Sequence, residues 1–140
     1  MRAVQDMLKT HPKGVGDLDM QVLHNCLMAC HECEATCTSC ADACLSEQSV
    51  EMLRRCIRLN LDCADVCSAT GKIITRLTEP EWGFISQQIS AMSTMCGLCA
   101  AECEKHAGHH EHCRVCAESC RRCEDACNRL LQAIPAAVGV

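Results

Sequence analysis

The chain predicts an all-α fold, an antiparallel four-helix bundle preceded by a short helix or arm, and three observations lead there. Four stretches of helical length are separated by short breaks. β-Branched residues are sparse, and no segment alternates polar with apolar residues over the length a strand needs. Inward-facing residues recur at alternating spacings of three and four, the period of a helix packed in a bundle. At 140 residues the chain is one domain's worth of sequence and can bury a real core.

The elements follow in order. Residues 1–10 form a short helix, and His11-Pro12-Lys13-Gly14-Val15-Gly16 breaks it, so 1–16 is an arm and linker. Asp17 is placed to cap the first bundle helix, which runs without Pro or Gly to about Leu45. Ser46-Glu47-Gln48-Ser49 offers capping side chains to a second, continuing to about Leu77 with Gly71 late in it. Thr78-Glu79-Pro80-Glu81 has the form of a capping box with proline in the first turn, and opens a third that ends near His106. Gly108 breaks the chain. The fourth runs from about His109 to Ile134 and is closed by Pro135, which leaves 17–134 as the bundle and 135–140 as a tail. Connections this short make successive helices antiparallel.

Composition excludes several function classes. A net charge of -5 and a pI near 5.8 argue against nucleic acid as partner. No stretch is apolar enough to cross a bilayer, and Met1-Arg2-Ala3-Val4-Gln5-Asp6 lacks the apolar middle of a secretory signal, so a cytoplasmic protein without a membrane partner is expected. The 17 cysteines are odd in number, and the cytosol keeps thiols reduced, so they point to metal or redox chemistry and away from a disulfide scaffold. With a single Phe, a single Trp and no Tyr, something other than rings must fill the core.

The cysteines lie on the helix seams. The first helix carries Cys26, Cys30, Cys33, Cys37, Cys40 and Cys44; the second Cys56, Cys63 and Cys67; the third Cys96, Cys99 and Cys103; the fourth Cys113, Cys116, Cys120, Cys123 and Cys127. Asn60 falls on the second seam, where a bundle normally places Leu. As small hydrophobes, so many cysteines would underpack the layers at a cost of roughly a kilocalorie per missing methyl-sized volume. Metal among the sulfurs supplies both volume and cohesion. Soft thiolates select Cu(I), zinc or iron-sulfur clusters and reject calcium and magnesium. Zinc wants about four ligands per ion, whereas sulfurs at i and i+4 of one helix form pairs that suit a metal taking two or three. There are seven such CxxxC pairs: Cys26/Cys30, Cys33/Cys37, Cys40/Cys44, Cys63/Cys67, Cys99/Cys103, Cys116/Cys120 and Cys123/Cys127. Charge neutrality then implies on the order of one Cu(I) per cysteine, a stoichiometry of storage without substrate turnover.

The alternatives are an iron-sulfur electron carrier and a general thiolate sink for zinc or other soft metals. The first lacks the C-x2-C-x2-C-x3-C-P loop of bacterial ferredoxins, and a di-iron bundle lacks its Glu-x-x-His pairs. His106, His109, His110 and His112 surround the turn between the third and fourth helices, at the end that also holds Cys44, Cys56, Cys103 and Cys113. Copper is expected to come in there. His106, in register with its seam, is the best candidate ligand among them. The opposite end gathers Leu23, Leu27, Ile74, Leu77, Ile89, Leu130 and Ile134 as an apolar plug. His11, His24 and His31 read as surface residues, Met20, Met28 and Met95 as core filler, and Met92 as either filler or ligand beside Cys96.

With its cysteines so placed, the chain over about 17–134 resembles the cytosolic copper storage proteins, cysteine-lined four-helix bundles. The resemblance rests on repeated CxxxC and CxxC spacings across four helices. It implies a homotetramer of bundles and many Cu(I) ions held by thiolates, with histidines at the open end; copper-accepting proteins are the partners expected of a copper store. It also implies that the CxxxC pairs are the copper-binding motif, with His106, His109 and Asn60 as mouth and inward polar positions.

Overall fold

The structure, a computed structural model, describes residues 1–134; Pro135 and the 135–140 tail lie outside them. Helix α1 spans Arg2–Thr10, α2 Met20–Leu45, α3 Arg54–Ile74, α4 Trp82–His106 and α5 Glu111–Ala133, with a 3-10 turn at Val50–Leu53 before α3. The long helices, α2 to α5, have 26, 21, 25 and 23 residues. At about 1.5 Å per residue they are rods of roughly 30–40 Å. Each packs against two neighbours, α2 on α3 and α5, and α4 on α3 and α5, while the diagonal pairs meet only through side chains at the axis. That square, antiparallel cross-section leaves one axis onto which all four seams converge.

The helix ends differ from the sequence expectation for identifiable reasons. Asp19, not Asp17, caps α2: its Oδ1 accepts from the backbone N–H of Gln21 at 2.8 Å and of Val22 at 3.3 Å. Leu18 just before it is buried, so the chain turns inward before the helix starts. Ser46 to Ser49 give no cap to α3; the 3-10 turn intervenes and drives Leu53 fully inside. Thr78 does not cap α4 either. Glu79 sits at φ 51°, reversing the chain, and Thr78 Oγ1 lies 3.4 Å from His11 Nε2, tying the arm to the α3–α4 connection. The α4–α5 turn is closed by the N–H groups of His109 and His110, both donating to the His106 carbonyl.

Core composition changes along the axis. At the end holding the α1 arm and the α3–α4 connection, Leu8, Leu18, Leu23, Leu27, Ile74, Leu77, Ile85, Ile89, Leu130 and Ile134 are all buried. Each such side chain gains about 1.5–3 kcal/mol on leaving water. The arm contributes Leu8 and Leu18 to this cluster. Beyond it the interior is sulfur.

Candidate metal centre

All seventeen cysteines are free, and none is more than 2% exposed. They are buried because the seam spacing of three and four turns each sulfur toward the common axis. Sulfurs of different helices meet there: Cys37 and Cys120 at 3.5 Å, Cys56 and Cys103 at 3.6 Å, Cys37 and Cys116 at 3.7 Å, Cys33 and Cys120 at 3.8 Å, Cys26 and Cys127 at 3.8 Å, Cys33 and Cys63 at 3.9 Å. Within one helix, Cys33 and Cys37 stand 3.7 Å apart. The CxxxC pairs are thereby built into cross-helix groups. Cys26 and Cys30 are joined by Cys127, Cys40 and Cys44 by Cys56 and Cys113, Cys63 and Cys67 by Cys33 and Cys96, Cys116 and Cys120 by Cys37 and Cys99. In each group the sulfurs lie within 4.8 Å of one another. A metal–sulfur bond of about 2.3 Å puts sulfurs about 4 Å apart around a trigonal ion and about 4.6 Å apart across a linear one. The apo bundle already has that spacing.

Asn60 sits in the middle of the sulfur column, fully buried. Its Oδ1 accepts from the thiols of Cys99 at 3.1 Å, Cys116 at 3.4 Å and Cys103 at 3.5 Å, and its Nδ2 donates to Cys56 Sγ at 3.7 Å. One amide thus satisfies thiols from α3, α4 and α5, a role that Leu could not fill. Once those thiols lose their protons, the same amide can serve them only through its N–H donors.

At the histidine end, the imidazole nearest the sulfurs is that of His112. Its Nδ1 lies 3.4 Å from Cys40 Sγ and 3.6 Å from Cys113 Sγ, while Nε2 lies 3.2 Å from Glu47 Oε2. His110 stacks on His112 with ring centroids 5.6 Å apart, pairs with the same Glu47 carboxylate, and approaches Ser49 Oγ at 3.4 Å. The electrostatics agree. Hydrogen bonding from Cys103, with Cys56 and His112 adding, holds the Cys40 thiol down to about 6 against the opposing effects of Cys116 and burial. His112 is raised although burial opposes it, because it bonds to Cys40 and Glu47. Cys44 and Cys113, in the same sulfur group as Cys40, are pushed up, chiefly by burial.

The two histidines picked from sequence stand elsewhere. His106, in register with the α4 seam, turns its Nε2 to Glu102 Oε2 at 2.9 Å, in a cluster that Arg55 and Lys105 complete. His109 is exposed on the turn. His112, named from sequence as one of the four histidines at the turn, was not singled out as a ligand because it lies beside the α5 seam and not on it; its signal was the four-residue step to Cys116, which continues the CxxxC spacing backward with an imidazole. Glu47 had no signal, since only the fold brings the α2–α3 connection to α5. His24 and His31, read as surface residues, are half-buried: His31 Cε1 packs against α3 at Gly71, and both ring nitrogens of His24 are enclosed with no hydrogen-bond partner among the described residues. Met92 is wholly buried in the core cluster.

Thiol groups of this number and spacing on four converging helices match a described family, whose Copper storage protein (Csp) profile covers residues 19–132. The chain belongs to the copper storage protein family. It is 46% identical to the copper storage protein Ccsp from Streptomyces lividans, solved loaded with 10 copper equivalents, with a TM-score of 0.92 over 94% of this chain and 99% of that one. The Cu(I)-bound copper storage protein BsCsp3 superposes with a TM-score of 0.70 at 31% identity, over 79% of this chain and 98% of that one. The cysteine-rich protein YhjQ of Bacillus subtilis (strain 168), described as uncharacterized, is 32% identical over 94 residues, 67% of this chain and 82% of its own. No helix of this copper storage protein, among the described residues, is long and apolar enough to cross a membrane.

Proposed function

We propose that the chain stores Cu(I), on the order of one ion per cysteine, along the sulfur column of its bundle, and that it performs no catalytic turnover. The observation that carries this is the cross-helix thiol grouping, in which sulfurs stand within 4.8 Å of one another at several levels of the axis. Continuous groups favour many ions over one or two. The ligands are the seventeen cysteines, with Asn60 adjusting its hydrogen bonds to the charge of its neighbours and His112 contributing at the rim; His106 and His109 act at most as outer contacts. Copper is cargo here, held by neutralisation of buried thiolates, which lose protons as the metal arrives.

Residence in the cytoplasm is supported by the description of the Streptomyces lividans relative as cytosolic and by the need of free thiols for a reducing compartment. Assembly as a homotetramer rests on the family resemblance, with exposed Phe84 and Leu98 on α4 as apolar surface for it. Exchange with copper-accepting proteins follows from a store that must be emptied. Anaerobic titration of the reduced protein with Cu(I) against a competing chelator tests the reading. Saturation in the range of 15–20 equivalents is expected from one ion per thiolate, whereas saturation at one or two would end it. Zn(II) added in competition is expected to leave the bound Cu(I) in place, since thiolates prefer the softer ion.

A further inference from the structure

We infer that Cu(I) reaches the sulfur column sideways, through a groove between α2 and α5 walled by Cys40 and His112, delivered by a small-molecule thiol and not along the bundle axis. The inference rests on the storage reading and concerns only its access route.

The axial path is shut. Leu53 lies one helical turn before Cys56 on the 3-10 turn and is fully buried, so its side chain covers the end of the column. Behind it Cys44, Cys56, Cys103 and Cys113 have no exposed surface. Glu47 spans the same end by pairing with both His110 and His112.

The flank is different. A hollow of about 340 Å³ lies between α2 and α5, lined by Ala35, Thr36, Ser39, Cys40, His112 and Val115. Four other surface hollows of comparable size have no cysteine in their walls. Cys40 is also the most exposed of the seventeen cysteine residues, at 2%. Beside it His112 Nδ1 bridges inward, 3.4 Å from Cys40 Sγ and 3.6 Å from Cys113 Sγ, and Cys40 already shares a group with Cys44, Cys56 and Cys113. An ion caught at the groove therefore has a second donor in reach and a next station behind it. The volume is at the small end of ligand cavities, which run about 300–1,000 Å³, and matches a peptide-sized thiol. Thr36 and Ser39 offer hydroxyls to such a peptide.

The step is a ligand exchange without redox change. In a carrier complex of two thiolates on Cu(I), the bond from copper to one carrier sulfur breaks and a bond to Cys40 Sγ forms. Cys40 enters as its thiolate, and the displaced carrier sulfur leaves as a thiolate that solvent protonates. Copper stays Cu(I), and the total charge is unchanged.

Stopped-flow uptake of Cu(I) from excess glutathione, followed anaerobically by sulfur-to-copper charge-transfer absorption, tests the route. Ser39→Trp with Val115→Trp fills the groove from exposed positions; Met52→Trp places an indole at the axial end, on a side chain 75% exposed. Uptake by the groove variant is expected to slow by about tenfold with the final copper number unchanged, and the Met52 variant to stay within about twofold of the parent. Thr36→Phe alone, a milder change, should slow uptake in the same direction. Equal rates in all variants, or a larger slowing at Met52, would overturn the lateral route while leaving storage intact. A parent protein that binds only one or two ions would instead overturn storage itself.

Discussion

The two ends of one bundle hold together by different means. At the arm end, Leu23, Leu27, Ile89 and Leu130 fill the axis and Leu8 and Leu18 seal it, so cohesion comes from apolar surface removed from water and needs nothing else. At the histidine end the same helices present Cys40, Cys44, Cys56, Cys103 and Cys113, small side chains whose buried sulfurs gain little transfer energy and whose charged forms burial disfavours. The comparison teaches that the scaffold is apolar at one pole so that the other can depend on its cargo.

The sharpest way to test that contrast is to add and remove metal. Ligation at 1,000 times Kd stabilises by about 4 kcal/mol per independent site, so copper loading is expected to raise Tm by more than about 15 °C. Amide-exchange protection should rise most around Cys44, Cys56, Cys103 and Cys113 and least around Leu23 and Leu130. Equal gains at both ends would break the comparison.

A smaller effect is expected from the apolar pole. Leu130→Ala, at a fully buried position, is expected to cost about 2–5 kcal/mol in the apo protein by chemical denaturation while leaving the copper number unchanged. A loss of copper capacity equal to that from removing a thiol would show that the poles are not separable.

The smallest effect concerns Glu102, buried beside His106, Lys105 and Arg55. Burial pushes its carboxyl up, but the hydrogen bonds from His106 and Lys105 outweigh it, so the net direction is down. A depressed carboxyl contributes stability that is present above its ordinary value of 4.5 and is lost as pH falls through the lower folded value. Glu102→Gln should therefore cost about 0.5–1 kcal/mol near neutrality, Arg55 and Lys105 being largely exposed, with the gap to the parent closing in acid. Thermal melts of both proteins from pH 7 to pH 3 check this. A gap that widens in acid would reverse the assignment.

The histidine pole also shows how far the sequence carried. Thiols on α2 to α5 were legible because a seam period needs only one helix at a time. His112 and Glu47 were not, since one is a step off its seam and the other sits in a connection whose position depends on the packing of α2 against α5. His106 shows the complementary point: register gives the face of a helix but not the partner waiting there, and Glu102, one turn away on the same helix, bonds the ring through Nε2.

By itself the sequence determined the all-α class, the four helices, the alignment of every cysteine with a helix seam and the preference for a soft monovalent metal, because helical period and ligand softness are local properties. Only the tertiary structure decided which sulfurs from different helices share a group, that Asn60 bonds thiols of three helices, that Leu53 shuts the axis and that Cys40 borders a groove. Those are distances between residues far apart in the chain, and they exist only once the rods have packed.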